Sequence, residues 1–200
     1  AIYELGPTGF PFERFVGALL EYSGYTTKVD VIMDGICVTH EIDVVAEKNG
    51  KLTIVECKFH GEEGRNCNVK VPLYIHSRFN DVKNHWYSKK QEIKGLDKGW
   101  VVTNTRFTEH AIQYGKCVGL YLLSWDYPLE DGLKDRIDRL ALYPITVSTL
   151  LTKREKQFLL SRDLVLCRQL WKDKFFLDHL GISKTRKVKI LEEMKQLCNP

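Results

Sequence analysis

Val38–Phe59 reads VTHEIDVVAEKNGKLTIVECKF, two β-type runs meeting at Asn49-Gly50. A type I′ turn needs positive φ at both central residues, which Asn-Gly supplies. With those two as the loop, Lys48 faces Lys51. Stepping outward places Asp43 opposite Glu56, and Glu41 opposite Lys58. Side chains alternate along a strand, so these four residues are expected to share one face. Directly opposed Cβ atoms lie about 4.5–5.5 Å apart. Two carboxylates at that spacing repel unless a cation sits between them.

The flanks sharpen the reading. Ile42, Val44 and Val45 surround Asp43, and Leu52, Ile54 and Val55 precede Glu56, as in strands inside a sheet. Charges buried there need a partner or a metal. Oxygen ligands of this kind suit Mg²⁺ or Mn²⁺. Lys58, two residues after Glu56, is placed to hold a nucleophilic water or to meet developing negative charge. The plainer reading of Glu41 and Lys58 is a cross-strand salt bridge worth under ~1 kcal/mol.

Asp43 followed by Glu56-Cys57-Lys58 at a strand's end resembles the PD-(D/E)xK nuclease motif. FERFVGALLEYSGY before it and GWVVTNTRFTEHAIQYGK after it resemble the Mrr-type restriction endonucleases. The likeness runs from roughly Gly6 to Trp125. It implies a metal-dependent DNA endonuclease in which Asp43, Glu56 and the main-chain carbonyl of Cys57 hold Mg²⁺ (or Mn²⁺). In the family a glutamate on the first helix leans toward the metal, and Glu13 stands there. Catalysis would then rest on Asp43, Glu56, Lys58 and Glu13. Two other functions fit the same scaffold: a non-cleaving nucleic-acid-binding or assembly module, and a junction resolvase. Cutting both strands would call for a homodimer. Relatives often carry a nucleotide-binding ATP-cone domain ahead of such a nuclease. A chain beginning at Ala1 is consistent with a piece of a longer protein.

Elsewhere the periodicities predict α/β architecture. Phe12, Phe15, Val16, Leu19 and Leu20 mark a first helix starting near Pro11 and stopped by Gly24. Tyr25–Met33 is a first strand, opening a three-stranded antiparallel meander. Gly61–Asn68 is expected to be loop, and Val69 to about Lys90 a helix with Lys70, Arg78, Lys83, Lys89 and Lys90 on a basic side. Gly95–Gly99 is expected to be loop before a strand at Trp100–Asn104. A helix capped by Thr108 and a strand at Gly119–Leu123 follow. Strand–helix–strand with short crossovers implies parallel pairing. The expected fold is a restriction-endonuclease-like α/β/α sandwich with a mixed sheet, plus a small all-α C-terminal domain.

The boundaries expected are 1–127 for the nuclease-like domain, 128–145 for a connector and 146–200 for the basic helical domain. Residues 1–145 hold 18 Lys and Arg against 20 Asp and Glu, and 146–200 hold 12 against 6. That asymmetry points the tail toward a polyanion such as DNA, or simply toward solubility. Thr152-x-x-Glu155 is a capping box. Leu180-Gly181-Ile182-Ser183 before a basic helix is weakly similar to a helix-hairpin-helix, whose turn amides bind phosphate. Candidate DNA contacts are therefore His60, Lys70, Lys184, Arg186 and Lys187. Six scattered cysteines form no metal-spaced pair, as expected for reduced thiols in the cytoplasm. No apolar run reaches the ~20 residues of a membrane helix.

Overall fold

The computed structural model describes residues 1–89 and 94–198. Lys90, assigned above to a basic helix side, lies outside them. Helix α1 (Phe10–Tyr22) carries Pro11 in its first turn and buries Phe12, Phe15, Val16, Leu19 and Leu20. Strands β1 (Thr26–Asp34), β2 (Thr39–Lys48) and β3 (Lys51–Lys58) follow as the antiparallel meander. Asn49 and Gly50 have φ of 53° and 73°, and Lys48 pairs with Lys51. The turn chemistry and the register it sets are those the dipeptide demands.

The chain continues through β4 (Asn66–Cys67), α2 (Lys70–Ser88), β5 (Gly95–Thr103), β6 (Arg106–Phe107), α3 (Glu109–Cys117) and β7 (Tyr121–Leu123). The main sheet has the order β1-β2-β3-β5-β7, with β3, β5 and β7 parallel. The oxygen of Thr108 accepts from Ala111 N at the start of α3. Two expectations need correction. Gly95–Gly99 is not a loop but the first half of β5, paired with Lys51–Ile54 of β3. The expected loop at Gly61–Asn68 ends in β4, which pairs with β6 to make a second two-stranded sheet.

Helices cover both faces. On one, α2 and α3 bury two clusters: Phe79 and Val82 against Met33, Ile42, Ile54 and Leu96, and Ile75 and Ala111 against Val101 and Leu122. On the other lies α1. The remaining elements are α4 (Leu133–Leu140), α5 (Lys153–Leu160), α6 (Cys167–Lys172), a 3-10 helix at Lys174–Leu180, and α7 (Lys184–Cys198). Leu159, Leu166, Leu170, Ile190 and Met194 from these helices join Phe12, Phe15, Val44, Val55 and Val102 in one continuous core. The C-terminal helices are thus seated on α1 rather than tethered beside it. Among the described residues no helix is long and apolar enough to cross a membrane.

Candidate active site

β2 pairs with β1 out to Asp34–Thr39, but with β3 only as far as Val44–Val55. Beyond that step β3 stays with β5, out to Lys58–Thr103. The two strands therefore part where Asp43 and Glu56 stand. Asp43 keeps one link across the gap: its Oδ2 accepts a hydrogen bond from Cys57 N at 2.6 Å. On the other side of β2 the ladder skips Asp30, which faces Asp43 with φ of 56°.

That skip overturns part of the predicted face. Val44 packs in the α1-side core, yet Ile42, two residues away, packs under α2. A strict two-residue alternation would put both on one side. The left-handed residue at Asp30 breaks the pleat at this level, so Glu41 falls on the face opposite Glu56. Glu41 does not pair with Lys58 either, because the β2–β3 ladder has already ended.

Three acids meet at the parting. Glu13 reaches it from α1, and burial, then the nearby Asp43, push its carboxyl up to about 8. Burial and the charge of Asp43 raise Glu56 to about 7, against the pull of Arg78 and Lys58. Asp43 is also raised, by burial first, although the Cys57 amide and Arg78 oppose it. Burial is the largest cause of all three shifts and repulsion between neighbouring acids adds to it, so these carboxyls keep their protons to higher pH than free ones.

Arg14 of α1 pairs with Asp30 at 3.3 Å, and Arg78 of α2 pairs with Glu56. Its Nη1 donates to Glu56 Oε2 at 2.5 Å and to the carbonyl of Glu41 at 3.1 Å, and its Nη2 donates to Tyr74 Oη at 2.8 Å. One turn along, Asp81 takes up the hairpin tip. Its carboxylate accepts from Cys37 N at 2.9 Å and lies 2.8 Å from His40 Nε2. The His40 bond, ahead of the amides, holds the Asp81 carboxyl down at about 2. So α2 replaces β3 as the partner of β2's outer half.

Lys58 is exposed at the last position of β3. Its backbone is well fixed: its carbonyl accepts from Thr103 Oγ1 at 2.7 Å. His60 lies past the strand's end. Asn104 clasps its main chain from both sides, accepting from His60 N at 2.8 Å and donating to His60 O at 2.7 Å. The His60 ring lies 3.3 Å from Cys67 Sγ, and burial lowers its pKa. Lys70 is exposed at the start of α2, and Lys184 at the start of α7. Arg186 grips both oxygens of Glu155 at 2.5 and 2.6 Å and donates to Leu150 O. Lys187 is bonded to Asp178. The structure thus gathers Glu13, Asp43, Glu56 and Lys58 at one strand end, and leaves Lys184, Arg186 and Lys187 on the C-terminal helices.

Residues 7–126 match the restriction endonuclease catalytic-domain model. The chain belongs to the Mrr-type restriction endonuclease family. Residues 143–198 match a second model, described as AF1548-like, C-terminal. An uncharacterized protein of Archaeoglobus fulgidus is 36% identical over 182 residues, covering 90% of this chain and 97% of that one. The crystal structure of the protein of unknown function AF1548 superposes with a TM-score of 0.77 at 34% identity, over 96% of this chain and 98% of that one. The restriction-endonuclease fold and the C-terminal helices are therefore matched together, as one arrangement.

Arg78 and Asp30 are the members of this site that the sequence did not single out. Arg78 was visible only as one of several cations along a helix, and nothing in the run Val29-Asp30-Val31 marks a break in a strand.

Proposed function

We propose that this member of the nuclease family is a metal-dependent DNA endonuclease that hydrolyses phosphodiester bonds. The observation carrying the reading is the parting of β2 from β3 at Asp43 and Glu56, with Glu13 and Lys58 beside it.

The donor set fits a hard divalent ion. Every candidate ligand is an oxygen: the carboxylates of Asp43 and Glu56, the Cys57 carbonyl, and Glu13 directly or through water. The raised carboxyls are buried acids, whose ionised form Mg²⁺ or Mn²⁺ would favour. Among the described residues no three acidic, His or Cys side chains converge tightly enough to hold an ion, and Glu56 is paired with Arg78. A bound divalent ion supplies an acidified water and charge neutralisation at the scissile phosphate.

The protein's own groups do the rest. Asp43 is clamped through Oδ2 by the Cys57 amide, which leaves its other oxygen to serve a metal. Lys58 orients the attacking water or meets charge on the phosphate, from a backbone held by Thr103. Exposed Lys70 lies on α2, the helix that reaches the site through Arg78, and is placed to take a backbone phosphate. Duplex cutting in both strands would take two copies of this single site.

Supercoiled plasmid tests the reading. Mg²⁺ or Mn²⁺ should support nicking, chelator should stop it, and Asp43→Asn should remove it while duplex binding persists. The Arg78–Glu56 ion pair favours one rival, a module of this fold that binds nucleic acid without cutting. Binding with no nicking under either metal would establish that rival and end the nuclease reading.

A further inference from the structure

Arg78 holds one oxygen of the carboxylate that the proposed metal needs. We propose that Arg78 is the site's resident counter-cation, displaced from Glu56 by the divalent ion and then free to hold a phosphate of the nucleic-acid substrate. The inference rests on the nuclease reading and adds a substrate-binding residue to it.

The geometry supports an exchange rather than a permanent strut. Arg78 and Glu56 have side chains only 16% and 14% exposed, with 2.5 Å between Nη1 and Oε2. A contact this sheltered is not a solvated surface pair, and removing one partner strands the other. Yet the guanidinium is poorly used. Its contact with Glu56 goes through one nitrogen, which it shares with the Glu41 carbonyl. A planar guanidinium can grip a carboxylate with two parallel bonds, and this one does not. Its Nε–H is buried without any acceptor, a donor whose desolvation is uncompensated. Its second arm lies on Tyr74, bonded to the hydroxyl and with the ring centroid 4.9 Å from the guanidinium carbon. Tyr74 is exposed. Arg78 therefore has a ready perch facing solvent when Glu56 turns to a metal.

Electrostatics runs the same way. Arg78 neutralises about one of the charges on Asp43 and Glu56. An incoming divalent ion carries two and competes with the guanidinium for the same carboxylate. Once released, a fork of free N–H donors beside the scissile position suits two phosphate oxygens.

Manganese titration by calorimetry, without nucleic acid, reads the first half. If Arg78 competes with the ion, Arg78→Gln should bind Mn²⁺ roughly ten-fold more tightly than wild type. Arg78→Lys, which keeps the charge but loses the fork, should fall between them. Binding of a fluorescent duplex in Ca²⁺ across a salt series reads the second half. Arg78→Gln should weaken it and lower the slope of log K against log salt by about one contact. Weaker or unchanged Mn²⁺ binding in both variants, with wild type still binding and nicking, overturns the exchange and leaves the nuclease reading intact. An unchanged duplex affinity and salt slope removes the phosphate role. Absence of Mn²⁺ binding in wild type and variants alike overturns both proposals. Circular dichroism of each variant separates these outcomes from misfolding, and Arg78→Lys serves if Arg78→Gln does not fold.

Discussion

Glu56 and Glu155 each lie 2.5 Å from an arginine, and the chain treats them in opposite ways. Glu155 is pulled down to about 2, first by Arg186 and then by the Thr152 bonds that close the capping box. Glu56 is pushed up to about 7 by burial and by Asp43, in spite of Arg78. The difference is not the presence of an ion pair but what surrounds it. Arg186 gives Glu155 both arms and the Thr152 amide adds a third bond, with no acid among the groups acting on it. Arg78 gives Glu56 one arm, which the Glu41 carbonyl also uses, while Asp43 and Glu13 press from nearby. A pair built for stability is saturated. The pair at the strand parting is unsaturated, and its acid is pushed up rather than down, as buried acids at functional sites often are.

The sharpest way to break the contrast is to remove the acid beside Glu56. Asp43→Asn should lower metal-dependent nicking by about 10³-fold or more, since the ion loses a charged ligand and its water is no longer activated. The same change should leave the metal-free Tm unchanged or raise it, because a buried repulsion disappears. Plasmid nicking and thermal melts measure the two halves. A large fall in Tm would mean that Asp43 serves the fold through Cys57 N rather than the chemistry.

Adding the ion should sharpen it. Mn²⁺ at about 100 times its Kd should stabilise wild type by about 2.7 kcal/mol, read as a rise in Tm against a Ca²⁺-free, chelated reference. Asp43→Asn should show a much smaller rise. Equal shifts in the two proteins would place the ion elsewhere on the molecule.

How far these features could be read beforehand follows from how local their causes are. Asn49-Gly50 forces positive φ at two neighbouring residues, so the turn, the register and the approach of Asp43 to Glu56 were legible. Thr152 and Glu155 announce their cap in the same way. The break at Asp30 was not legible. An aspartate between two valines looks like ordinary strand, and nothing in those three residues announces its left-handed backbone. With it went the side on which Glu41 lies. The first half of β5 was lost to two glycines, Gly95 and Gly99, that mimic a turn. Gly99 instead makes room: a Cβ there would lie 3.0 Å from Leu120 and 3.2 Å from Phe79. β4 and β6 are two residues each, too short for any period to show. Arg78 was one cation among several until the fold set it against Glu56. The basic surplus of residues 146–200 was counted correctly, yet Arg186 and Lys187 spend their charge on Glu155 and Asp178, which no count reveals.

The smallest test addresses the saturated pair. Glu155→Gln keeps an oxygen for the Thr152 amide, since either Glu or Gln completes a capping box, and removes the charge together with one of the two acceptors that Arg186 holds. Glu155's side chain is 13% exposed but Arg186's is 34%, so screening at the arginine limits the loss to a Tm lower by about 2 °C at neutral pH. The carboxyl sits near 2 when folded against about 4.3 unfolded. A depressed carboxyl contributes fully above its unfolded value and fades as pH falls toward its folded one. The gap between wild type and Glu155→Gln should therefore be constant from pH 7 to about 5 and close between about 4 and 2. A gap that persists unchanged at pH 3 would assign the loss to packing between α5 and α7 rather than to charge, and the contrast with Glu56 would then rest on burial alone.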